Sequence, residues 1–252
     1  MNTFKTKKYL LPSLALACLA PLASQNAQAA ATFSSYATVT YTINSLTNSS
    51  NPGNFSGLGI TGSFDLVPGQ DISTITGEGS VTPLLAGTGS TTLTPAVDSS
   101  YSRTFQLDGV ANNGGLVAAN YLAGFGLAFE NASATDSYTV DLTLSYEIST
   151  NASGDNAFTD VTLNYFNEDG SFSNLASPSY IQASTAVFGT AFLQNSHAFS
   201  FTLTPEGSET LSVDAGITGT LQASPVPVPS AIWLFASALL AIPGISKSKR
   251  IV

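Results

Sequence analysis

Apolar and polar residues alternate along most of this chain with a period of two. Between Tyr36 and Leu46 the odd positions Val39, Tyr41 and Ile43 are apolar, and the even positions Thr38, Thr40 and Thr42 are polar. Leu58, Ile60, Phe64 and Leu66 form one side of the next run, with Thr61, Ser63 and Asp65 on the other. Tyr101, Phe105 and Leu107 alternate with Ser102, Thr104 and Gln106, and Tyr121, Phe125, Leu127 and Phe129 follow the same rule. The longest case sets Tyr138, Val140, Leu142, Leu144, Tyr146 and Ile148 against Thr139, Asp141, Thr143, Ser145 and Glu147. Val161, Leu163 and Tyr165 come next, then Phe199, Phe201 and Leu203, then Leu211, Val213, Ile217 and Leu221. Side chains that recur every second residue share one face of a strand. Each run therefore predicts a half-buried strand, apolar inward and Thr/Ser outward.

Turn chemistry separates the runs: Asn51-Pro52-Gly53, Pro68-Gly69, Asn112-Asn113-Gly114-Gly115, Ser153-Gly154-Asp155, Glu168-Asp169-Gly170 and Pro205-Glu206-Gly207. About eight to eleven strands follow. They predict an all-β, antiparallel two-sheet sandwich, jelly-roll-like, over residues 30–224. The stretch 77–100, rich in Gly, Ser, Thr and Pro, reads as weak strands or a long loop. Residues 113–122 have room for a turn of helix. No repeat of fixed length appears, which argues against a solenoid or propeller.

Both ends of the chain break the pattern. Lys5, Lys7 and Lys8 precede an apolar stretch from Tyr9 to Ala23, and Ala27-Gln28-Ala29 is a small-x-small cleavage site. Residues 1–29 thus predict a signal peptide, with a mature chain starting at Ala30. Cleavage there removes Cys18, the sole cysteine, and with it any disulfide or thiolate chemistry. Lipidation at Cys18 is disfavoured, because Ala15 stands where a lipobox places leucine. At the other end, residues 225–252 read as a proline spacer, an uncharged apolar segment from Ala231 to Ile245, and a basic stop at Lys247, Lys249 and Arg250. That order predicts a short transmembrane helix with its basic end in the cytoplasm.

Val226, Pro227, Val228 and Pro229, with Trp233, Leu234, Phe235 and the basic end, resemble the PEP-CTERM sorting signal, in its Val-Pro-x-Pro form. The resemblance covers the last tenth of the chain. It implies a Gram-negative source that makes exopolysaccharide and a membrane-embedded exosortase as processing partner. It also implies transient membrane attachment through the C-terminal helix, then delivery to the cell surface or extracellular space.

Charge sharpens this partition. Of seven basic residues, three lie in the N-terminal segment and three in the tail, while all sixteen acidic residues lie between. Residues 30–224 hold one basic side chain, Arg103, against those sixteen acids, a formal −15. A surface of that sign repels nucleic acid. Arg103 falls in phase with Tyr101 and Phe105, so its expected role is an ion pair with a carboxylate, stacked on a ring.

Candidate chemistry is sparse. The single histidine, His197, reads as a strand-edge residue, and no nucleophile motif, zinc motif or phosphate loop is present. No catalytic residue is assigned. Two clusters, Asp155 with Asn156 and Asp160, and Asn167 with Glu168 and Asp169, carry the oxygen ligands calcium prefers, although neither follows an EF-hand loop. Calcium is the one cofactor they suggest. Four Asn-x-Ser sequons, at Asn48, Asn54, Asn131 and Asn151, match chance in so Asn- and Ser-rich a chain. Three function classes stay open: an exported surface or matrix protein of an exopolysaccharide or biofilm layer, a carbohydrate-binding module, and a secreted polysaccharide-active hydrolase. Tryptophan, the usual sugar platform, occurs solely at Trp233 in the tail, leaving Tyr and Phe as substitutes.

Overall fold

The structure is a computed structural model that describes residues 30–154, 156–167, 180–188 and 190–225. These residues belong to one compact unit, Ala29–Pro225. The strands are β1 (Ala30–Asn48), β2 (Leu58–Leu66), β3 (Ile72–Ala86), β4 (Gly89–Leu93), β5 (Ser100–Asn131), β6 (Tyr138–Ser153), β7 (Phe158–Asn167), β8 (Tyr180–Ser184), β9 (Ala191–Leu203) and β10 (Ser208–Gln222). One helical turn, α1 (Thr185–Phe188), follows β8. All pairings are antiparallel.

The ten strands form a single sheet in the order β8-β7-β10-β5-β1-β6-β9, nearly closed on itself, with β3 and β2 on the other edge of β5 and β4 beside β2. The continuity has one cause. β5 is 32 residues long and serves two neighbours on each edge. One edge pairs with β1 through residues 100–112 and with β10 through 116–130. The other pairs with β3 through 104–120 and with β2 through 123–131.

Between these halves lies Asn112-Asn113-Gly114-Gly115. Here the structure corrects the expected chain reversal. Asn113 and Gly114 take left-handed backbone angles, φ 44° and 79°, and the strand bends but continues in the same direction. The bulge between Thr76 and Glu78 bends β3 at the same level. No helical turn occupies 113–122. The stretch 77–100 holds the rest of β3, all of β4 and a connecting segment.

The bend brings inward faces together. The Tyr41 hydroxyl on β1 reaches the carbonyls of Phe125 and Leu211, 3.3 Å each, across the core. The Tyr101 ring lies against Gly62 of β2, and the Phe33 ring fills the space between Gly109 of β5 and Gly219 of β10. The alternation predicted from sequence is met in the burial: Val39, Tyr41, Ile43, Phe105, Leu107, Phe125, Leu127, Leu142, Leu144, Val161, Leu211 and Val213 all lie in one core. A bulge between Ile43 and Ser45 shifts the phase of β1, so the even-numbered Leu46 and Asn48 become its inward residues.

Tyr41 is wholly enclosed, and burial raises its phenol above the usual tyrosine range, helped by Tyr101 and Asp214. A folded value above the unfolded one, about 10, means the protonated form is favoured by folding. That stability is complete below about pH 10 and falls as pH rises beyond it, by up to ~1.4 kcal/mol per pH unit. Tyr41→Phe removes two long hydrogen bonds at a cost of about 1 kcal/mol at neutral pH. It is expected to move the alkaline unfolding midpoint upward. A pH titration from 9 to 12 followed by far-UV circular dichroism measures this, and coincident midpoints would refute it.

Arg103 is stacked as expected, but among the described residues no carboxylate pairs with it. Its Cζ sits 4.3 Å from the Tyr101 ring centre. Nε and Nη1 donate to the carbonyls of Gly87 (2.8 Å) and Ser102 (2.7 Å), and Nη2 donates to Thr91 Oγ1 (3.1 Å). The carbonyl of Gly87, in a turn, and that of Ser102, on β5 itself, lie within reach of the fork. The predicted carboxylate pairing gives way to carbonyl hydrogen bonds.

At one end of the sheet, two buried asparagines tie three loops together. Asn48 Nδ2 donates to the Asn54 carbonyl and to Asp136, and its Oδ1 accepts the amides of Ser50 and Asn51. Asn131 Nδ2 donates to the carbonyls of Asp136 and Thr204, and its Oδ1 accepts the Ser133 amide. Asn54 accepts the Ser56 amide in the same way. Three of the four Asn-x-Ser sequons are thus Asx turns, in which the side chain stands in for a backbone carbonyl.

Candidate functional site: the outer sheet face

The outer face of β3, β5, β1, β6 and β9 is built by alternation and register. Each strand buries its apolar positions and turns the alternate residues outward, and antiparallel pairing sets those residues in rows across the strands. One row reads Leu84, Gln106, Tyr36, Ser149, Phe192. On one side of it Thr104, Thr38, Glu147 and Gln194 are aligned, and on the other Asp108, Ser34 and Asn151.

Hydroxyls on this face bond to one another across strands: Thr38 to Thr104 at 2.8 Å, Thr40 to Ser102 at 2.7 Å and Thr139 to Thr202 at 3.1 Å. Gln106 donates to Asp108 at 2.8 Å. Ser45 donates to Asp141 at 2.6 Å, and bonds from Ser200 and Ser45 hold that carboxyl below its ordinary range. The Tyr36 phenol donates to Glu147. This bond to a carboxylate, with some burial, pushes Tyr36 up to about 12. A hollow of about 450 Å³ lies beside Glu147, lined by Ser145, Tyr146, Gln194, Asn195 and Ser196.

A second concavity, of about 340 Å³, lies outside β2, β5 and β10. Its floor is Gly124 and Gly126. Register places Asp65 and Asp214 on either side of Gly124, and Ser63 and Ser212 on either side of Gly126. Burial pushes the Asp214 carboxyl up. Asp65 is tied to its own strand by the Leu66 amide at 2.8 Å. Two carboxylates flank the trough, but among the described residues none orients them toward a common reacting atom.

The sequence-predicted site residues scatter. Of the calcium candidates, Asp155, Glu168 and Asp169 lie outside the described residues. Asp160 lies on β7 and accepts both its bonds from Gln182, at 3.0 Å each, while burial raises its carboxyl. Among the described residues no group of three acids, histidines or cysteines is placed to hold a metal ion. His197 lies within β9, with its ring 6.1 Å from that of Tyr146 and 5.2 Å from that of Tyr165. Ala30 opens β1. The cleavage residues Ala27 and Ala29, and the tail residues from Val226 to Arg250, lie outside the described residues. Among those described, no helix is long and apolar enough to cross a membrane. No local pattern in the sequence marks Tyr36 and Phe192, since only strand register brings them into one row.

The chain matches no protein-family model, no curated protein and no solved structure.

Proposed function

We propose that this chain is an exported protein of the cell surface or extracellular matrix, associated with exopolysaccharide or biofilm. Its C-terminal signal addresses it to an exosortase. The observation that carries this reading is the partition of charge: basic residues in two terminal targeting segments, and a formal −15 on the body between them. The body supports it. An all-strand body of that negative charge suits an aqueous setting outside the membrane. In this reading the folded-over sheet is a flattened, jelly-roll-like sandwich.

The experiment is mass determination of the mature C-terminus in the native host, with fractionation of cells and matrix. A chain ending near Pro229 and recovered from the surface or matrix fraction is expected. An intact Val252 on a protein retained in the cytoplasm would overturn the proposal. The carbohydrate-binding reading is favoured over the hydrolase by a specific observation, the exposed ring and aliphatic side chains set among hydrogen-bonding rows on the outer face.

A further inference from the structure

We propose that the row Leu84, Tyr36, Phe192 is the anchor line of a binding face for a neutral polysaccharide chain. The inference rests on the extracellular reading above and adds a site and a ligand class to it.

Phe192 is 51% exposed and Leu84 55% exposed, on a face made mostly of hydroxyls, amides and carboxylates, with Val110 and the small Ala86 and Ala198 among them. Singly exposed apolar side chains are ordinary; what marks this pair is their alignment with Tyr36 in one register row. Register fixes their spacing. Tyr36 on β1 is separated from Phe192 on β9 by one strand, β6, and from Leu84 on β3 by one strand, β5. With strands about 4.8 Å apart, the anchors recur every ~9.6 Å. That is close to the length of two pyranose rings in an extended chain, so one face of every second sugar meets an apolar side chain.

The polar rows lie where the hydroxyls of such a chain project. Gln106 and Ser149 occupy the gaps between anchors, Glu147 and Gln194 flank one side, and Asp108 flanks the other. Carboxylates and amides accept and donate to sugar hydroxyls, and Glu147 already fixes Tyr36. Charge selects the class. The face carries Asp108, Glu147 and Asp141 and no basic residue, on a body of formal −15, so an acidic polysaccharide is repelled. An apolar partner surface is equally unsuited, because it would strand these carboxylates without water.

The test uses the full-length chain, purified in detergent, and its retention on beads carrying β-glucan, galactomannan or dextran, with alginate beads as the acidic probe. Retention on at least one neutral polymer and none on alginate is expected. Phe192→Ser should weaken retention at least tenfold, and Leu84→Ser several-fold, with unchanged melting temperatures because both side chains are exposed. Val97→Ser, at a site 49% exposed and off the row, should retain wild-type binding. Absence of retention on all three neutral polymers, preference for alginate, or indifference to Phe192→Ser would each overturn the proposal. So would a concentration-dependent dimer that Phe192→Ser abolishes, since the row would then join two copies. The C-terminal mass reports on export independently, so loss of binding with a processed tail rejects the site alone.

Discussion

Replacing Gly115 by alanine is expected to destabilise the protein by about 3 kcal/mol, the upper end for overpacking in a closed site. For a body of this size that lowers the melting temperature by roughly 6–12 °C. A Cβ at this position would stand 2.2 Å from the Glu78 carbonyl oxygen and 2.8 Å from that of Asn112. Both obstacles are backbone, held in the β3–β5 ladder on either side of the bend, so neither moves without breaking pairing. Gly59→Ala is the control. Its nearest contact is the Glu130 carbonyl oxygen at 3.7 Å, ordinary van der Waals distance, and the change is expected to cost well under about 1 kcal/mol. Thermal denaturation of the two variants measures the difference. Equal melting temperatures would mean that the bend does not hold the two halves of β5 in this register.

The second large effect is expected at Phe33. Its ring is buried, with Gly109 directly opposite on β5 and Gly219 facing it from β10. Phe33→Ala should cost about 3–5 kcal/mol, because two glycines offer no side chain to collapse into the void. Gly219→Val alone should also be costly, since its Cβ would lie 2.4 Å from the ring. Combined with Phe33→Ala it should recover part of the loss by filling the same space. A double-mutant cycle in urea should show coupling of at least about 1 kcal/mol. Strict additivity would count against the packing described.

The strands were legible because each has one wet face and one dry face, so burial wrote itself into every second residue. β3 was not, since it is an edge strand with Ile72, Ile75 and Leu84 exposed, and its inward side is only partly buried, at Val81 and Leu85, over its second half. Pro83 is tolerated there for the same reason. Asn112-Asn113-Gly114-Gly115 was misread because left-handed residues serve a bend as well as a reversal, and only the pairing on both sides distinguishes them. The single sheet followed from that bend, where turn chemistry alone suggested two. The outer row was hidden more deeply. Tyr36 and Phe192 come from strands far apart in sequence, and no local pattern encodes which residues register will bring side by side.

The buried Asx turns bear on how the protein can be produced. A eukaryotic secretory host would read Asn48 and Asn131 as acceptor sites and attach sugars while the chain is still extended. Folding then demands that both amides reach interior partners, which a bulky glycan forbids. Yeast or mammalian secretion should therefore give misfolded material unless the hydroxyl two residues on is changed, Ser50→Ala and Ser133→Ala. Both changes keep the Asx bond from the substituted residue's own amide, while Ser133→Ala also gives up the Oγ that accepts the Thr135 and Asp136 amides.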